Sequence, residues 1–150
     1  MYERILVPID GSETALKGLV EALRLAKALH AKVKLVHVVN ELIIDPAMTP
    51  SVYYEHAVEG MRASGKKALA RAQALAEESS AEVDAELFET IGARASDCIV
   101  AAAKNWPADL IVMGTHGRRG VRRLALGSDA EMVLRSAPVP VLMVRAGADG

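Results

Sequence analysis

The sequence predicts an α/β protein built on an open five-stranded parallel sheet, doubly wound, with helices on both faces. Three observations carry this. Short apolar runs alternate with segments of helical period from one end of the chain to the other. The first and fourth runs end in turn signals, Asp10-Gly11-Ser12 and Gly114. No repeat, linker or low-complexity stretch interrupts the pattern, so its 150 residues read as one domain. Strands joined through helices imply right-handed crossovers and a parallel sheet.

Taken in order, Arg4 to Ile9 is a buried strand, and Ser12 is the natural N-cap of the helix that follows. In that helix Leu16, Leu19, Val20, Leu23 and Ala26 recur at helical spacing. Lys32 to Val39 is a valine-rich second strand. Asn40 to Ser51 holds two prolines and no clear period, and reads as a loop. A long helix spans roughly Val52 to Ser80, with Val58, Met61, Leu69, Ala72 and Leu75 on its inner face. Val83 to Glu89 alternates as a half-buried strand, and Ala93 to Asn105 is a helix with Ile99 and Ala102 inward. Leu110 to Met113 is a strand ending at Gly114, and a glycine- and arginine-rich loop runs on to Gly127. Ser128 to Ser136 is the last helix and Val139 to Val144 the last strand; Gly147 to Gly150 reads as a loose tail.

Bulk properties narrow the function. A formal net charge of −1 offers no global attraction to nucleic acid or a membrane surface. Aromatics make up 3% of the chain, too few for a base-stacking single-strand binder. No apolar run approaches the roughly 18 residues of a membrane span. The single cysteine, Cys98, precludes an intrachain disulfide; with no signal peptide apparent, the expectation is cytosolic. No HxH, HExxH or CxxC spacing occurs, so no structural metal is expected.

Ligands of open α/β sheets bind beyond the carboxyl ends of strands, where the strand order reverses. Two loops have the right character, Asp10-Gly11-Ser12 and Gly114 to Ser128, and they wall one crevice if the first and fourth strands are neighbours. The second loop carries glycines at 114, 117, 120 and 127 and arginines at 118, 119, 122 and 123, and ends at a helix N-terminus. Backbone N–H groups and the helix dipole there suit a polyphosphate. A plainer reading is also open: turn glycines, solvated arginines, and a capping box of Ser128 with Glu131. The spacing is neither GxGxxG nor a P-loop.

The frame Gly114, Gly117, Gly127, Ser128 resembles the signature of the ATP-binding branch of the universal stress protein family, in which two residues separate the first glycines and nine the next. Ile5 to Ser12, Leu35 to Val39, Asp109 to Gly117 and Ala137 to Val144 are similar to that family's strands and turns. The resemblance implies the strand order 3-2-1-4-5. It implies that Asp10 holds the ribose or a phosphate-bound metal, and that Pro8 and Ile9 border the nucleotide. It further implies that Val38 or Val39 meets the adenine through its backbone, and that Met113 and Gly114 flank the ribose. The phosphates would fall to Gly117, Gly127, Ser128 and the backbone of Asp129. The implied ligand is ATP with Mg, in a regulatory, stress-response protein with at most slow ATP hydrolysis. Asp129 departs from the family's pattern, where an apolar residue is more usual; a carboxylate there repels an anion or recruits a divalent metal.

Asp10 has a second role open to it, capping the Gly11-Ser12 turn. His116 reads as a solvated histidine, His37 as a satisfied near-core one, and Cys98 as packing. Tyr53 and Tyr54 read as a hydrophobic staple for the long helix rather than a lid over the crevice. Val139 to Val144, apolar on both faces, invites pairing with another chain if it lies at the sheet edge, and the resemblance implies a homodimer through it. An unnamed regulatory partner is expected, with no nucleic acid and no membrane. No nucleophile and base pair can be read near the loop. The alternative function is a nucleotide-independent dimeric scaffold with a vestigial loop.

Overall fold

The computed structural model describes residues 1–41, 45–116 and 126–145. Five strands alternate with four helices: β1 (Arg4–Pro8), α1 (Glu13–Leu29), β2 (Lys32–Asn40), α2 (Ser51–Glu77), β3 (Val83–Thr90), α3 (Ala95–Asn105), β4 (Leu110–Gly114), α4 (Ser128–Ser136) and β5 (Val141–Val144). All four strand pairings are parallel, in the order β3-β2-β1-β4-β5. The order inferred from the resemblance therefore holds, and β1 and β4 are neighbours.

Alternation along each central strand sends side chains to two cores. Ile5 and Val7, with Val33, Leu35, Leu110 and Val112, meet α1 and α2 through Leu19, Leu23, Leu69 and Ala72. Leu6, Val36, Ile111 and Met113 meet α3 and α4 through Ile99, Ala102, Ala130 and Val133. Helices cover both faces, which is why β1 and β4, at the centre of the sheet, read as unbroken apolar runs. At the amino edge of the sheet the Asp109 carboxylate accepts from the N–H groups of Glu3 and Arg4, at 2.8 and 3.1 Å. These bonds tie the start of β1 to the start of β4, at the end away from the crevice.

β5 is two residues shorter than its apolar run. Pro140 has no N–H to continue the ladder, although its carbonyl accepts from Ile111 at 3.0 Å. β5 does lie at the sheet edge, and Leu142 on it is half exposed.

Candidate functional site

Gly11 sits at φ 85°, the left-handed region that glycine tolerates, and turns the chain sharply after β1. The Asp10 carboxylate closes this turn: its Oδ1 accepts from the Ser12 N–H at 2.9 Å and from the Ser12 hydroxyl at 2.5 Å. Ser12 Oγ in turn accepts from the Ala15 N–H at 3.1 Å and caps α1. The turn-capping reading of Asp10 holds. One oxygen is spent on the turn, no described donor reaches the other, and the side chain borders the crevice.

The crevice is a cleft of about 830 Å³ at the carboxyl ends of β1, β2 and β4, within the roughly 300–1,000 Å³ usual for small-molecule sites. Pro8, Ile9 and Asp10 line it from β1, Val38 and Val39 from β2, and Met113 and Gly114 from β4; Gly127, Ser128 and Asp129 close it at the start of α4. Every site residue read from the sequence is here except Gly117. That residue and Arg118, Arg119, Arg122 and Arg123 lie outside the described residues, as does the tail at Gly147 to Gly150.

The stem of the glycine loop is held by two backbone bonds. The Thr115 N–H donates to the Val144 carbonyl at 3.0 Å, and the Gly127 N–H donates to the Thr115 carbonyl at 2.6 Å. Gly127 is the N-cap of α4, and its own carbonyl accepts from Glu131 at 2.9 Å. The Gly127 N–H is therefore already engaged. The residues of the first turn of α4 that line the cleft, Ser128, Asp129 and Ala130, carry N–H groups that lack partners within the helix.

The capping box is corrected by the same geometry. Ser128 occupies the first helical position instead of the cap, no side chain caps α4, and Glu131 pairs with Arg135 at 3.0 Å. The Ser128 hydroxyl is exposed at the cleft.

His37 is satisfied as expected: its Nδ1 lies 2.7 Å from the Ile9 carbonyl, and its ring packs against α2 where only a glycine fits, at Gly65. It nevertheless lines the cleft. His116 is half-buried, not solvated; its Nδ1 lies 3.1 Å from the Thr115 hydroxyl, and it too faces the cleft. Tyr53 is exposed, and the Tyr54 hydroxyl donates to buried Glu41 at 3.1 Å, so the second ring fastens α2 to the end of β2 by a polar bond where a staple was expected. Burial and the neighbouring Glu41 carboxylate both raise the Tyr54 pKa, keeping that hydroxyl a donor. Neither ring lines the cleft.

Two further walls escaped the sequence. Ala57, Gly60, Met61 and Ser64 come from α2, and Ala95 and Ile99 from α3. Their residue types are small or apolar and carry no chemical signal. The helical spacing of the first four would have shown a shared face, but not what that face borders. Beside the α2 wall, Arg62 grips Glu89 with both arms of its guanidinium, Nε to Oε1 and NH2 to Oε2, the latter at 3.0 Å. The Arg62 hydrogen bonds hold the Glu89 carboxyl below its ordinary pKa. Among the described residues no group of three or more His, Cys, Asp or Glu side chains could hold a metal ion.

Known proteins resemble this chain along nearly its whole length. The universal stress protein family matches over residues 1–145. The universal stress protein MJ0531 of Methanocaldococcus jannaschii is 35% identical over 97% of this chain and 83% of its own. Among solved structures, the universal stress protein UspA from Lactobacillus plantarum superposes with a TM-score of 0.83 at 29% identity, covering 96% of this chain and 98% of that one. The universal stress protein from Archaeoglobus fulgidus, solved in complex with dAMP, gives 0.71 at 25% identity, with 95% and 98% covered. The chain belongs to the universal stress protein family.

Proposed function

We propose that this protein binds an adenine nucleotide, ATP in the first instance, in the cleft beyond β1, β2 and β4, and serves as a regulatory, stress-response protein. The observation that carries the reading is the convergence of the α4 N-terminus on that cleft. The N–H groups of Ser128, Asp129 and Ala130 and the helix dipole offer an anion site at one end. The carboxyl end of β2 at Val38 and Val39, with Ile99 from α3, offers an apolar bed for a base at the other. The relative from Archaeoglobus fulgidus holds dAMP, which supports an adenine nucleotide here. Asp10, which lines the cleft, would take the ribose hydroxyls through its second oxygen. Mg is bound through one or two carboxylates plus substrate phosphates, and Asp10 and Asp129, both on the cleft, are the residues that would hold it.

Hydrolysis would be slow at most: the serine hydroxyl that donates to a carboxylate at the cleft, Ser12 to Asp10, is committed to closing the turn and capping α1. β5 supports a homodimer: it is a short edge strand with Leu142 exposed on it and Leu134 exposed on the adjoining α4. Light scattering at micromolar concentration tests that, a monomer refuting it. A cytosolic setting fits a chain with one cysteine.

The test of the main reading is calorimetric titration of ATP with magnesium into nucleotide-stripped protein, beside a Gly127→Val, Ser128→Val double variant. We expect a Kd on the order of micromolar for the parent and loss of binding in the variant, with both circular dichroism spectra native. A parent that binds nothing sinks the reading in favour of a nucleotide-independent dimeric scaffold.

A further inference from the structure

We infer that Gly60 sets the size limit of the cleft on its α2 wall and keeps that wall flat for the base of the nucleotide. The inference rests on the nucleotide reading above and adds a specificity-determining residue to it.

α2 is longer than the strands it joins. α2 has 27 residues, about 40 Å at the α-helical rise, whereas β3 has 8, about 26 Å of strand. A crossover helix enters at the carboxyl edge of the sheet, so the surplus length projects its first turns past that edge. The C-terminal half of α2 buries Gly65, Leu69, Ala72 and Ala76 against the sheet. Its N-terminal half turns Ala57, Gly60, Met61 and Ser64 to the cleft, at i, i+3, i+4 and i+7.

The two glycines of α2 differ in what explains them. A side chain at Gly65 would collide with His37, its Cβ falling 2.5 Å from Cδ2 and 2.7 Å from Nε2, so packing demands glycine there. A Cβ at Gly60 would meet no atom of the described residues within 4 Å. Glycine inside a helix is unfavourable relative to alanine, its backbone here is helical, and no neighbour among the described residues calls for it. Gly60 is exposed and lines the cleft, so a side chain there would take up open space at the cleft. A larger side chain at this position would lean toward the preceding turn, over Ala57 and along the cleft-lining stripe. The stripe holds no charge and a single hydroxyl, and α2 lies against the carboxyl end of β2, through Gly65 on His37 and Tyr54 on Glu41, where Val38 and Val39 offer the bed for the base. The group that faces Gly60 is accordingly the flat, uncharged base.

The test titrates ATP with magnesium into the parent, Gly60→Ala and Gly60→Leu, with thermal unfolding of each protein free of nucleotide. Both variants should unfold a few degrees above the parent, because each removes a helix glycine. Gly60→Ala should bind ATP within about threefold of the parent, and Gly60→Leu more weakly by roughly tenfold to a hundredfold, as overpacking of the cleft requires. Parent-like affinity in Gly60→Leu would overturn the inference and leave the nucleotide reading standing. Weak binding together with a lowered unfolding temperature would also overturn it, since the position would then be packed against protein. A parent that binds no ATP removes the nucleotide reading and this inference with it.

Discussion

Thr14 and Gly114 touch so closely that a Cβ at position 114 would lie 2.7 Å from Thr14 Cγ2 and 3.0 Å from both its carbonyl carbon and oxygen. The contact joins the first turn of α1 to the last residue of β4, two of the elements that border the cleft. Gly114 does not have a positive φ, so packing, not backbone freedom, requires glycine. Two of the colliding atoms are backbone and cannot rotate away. Gly114→Ala should therefore destabilise the protein by about 1–3 kcal/mol, read as a lower urea midpoint at unchanged m-value, and should weaken nucleotide binding with it. A variant as stable as the parent would show that the α1–β4 junction has room to yield.

Asp129 places stability and binding in opposition. A carboxylate in the first turn of α4 complements the helix dipole, and its loss in Asp129→Ala should cost roughly 0.3–1 kcal/mol of stability. The same carboxylate borders the proposed phosphate site, so its removal should tighten ATP binding roughly twofold to fivefold in the absence of divalent metal. Calorimetry with and without magnesium decides the role. Weakening seen only with magnesium would assign Asp129 to the metal instead.

The Arg62–Glu89 pair predicts a response to acid. Its hydrogen bonds lower the Glu89 pKa in the folded protein below the ordinary 4.5. A depressed carboxyl contributes stability that is present above the unfolded-state pKa and fades as pH falls through the folded-state value. The parent should thus exceed Arg62→Ala in unfolding temperature at pH 6, and the gap should close as the pH drops below about 4.5. A gap independent of pH would mean that the pair contributes through packing alone.

The elements themselves were legible because their signals are local. Val7, Leu35 and Val112 sit in apolar runs too short for helices, and Leu19, Leu23 and Ala26 keep helical spacing. The Asp10-Gly11-Ser12 turn could be read as a cap from three adjacent residues, and it is one. Boundaries slipped where a neighbour in space intervened. Ser128 looked like a cap, yet the carbonyl of Thr115 holds the Gly127 N–H and Gly127 takes the cap position. Tyr54 looked like a staple, yet buried Glu41 claims its hydroxyl.

By itself the sequence determined the alternation of strands and helices, the glycine frame around Gly114, Gly127 and Ser128, and through that frame the family. These are patterns of residue type at fixed separations along one chain. Only the tertiary structure decided that α2 overhangs the sheet and brings Gly60 and Met61 to the cleft, that His37 and His116 face it, and that the Gly127 N–H is already spent. Each of these depends on the length of one element relative to another, or on a hydrogen bond between segments distant in sequence, and the separation of residues along a chain carries neither.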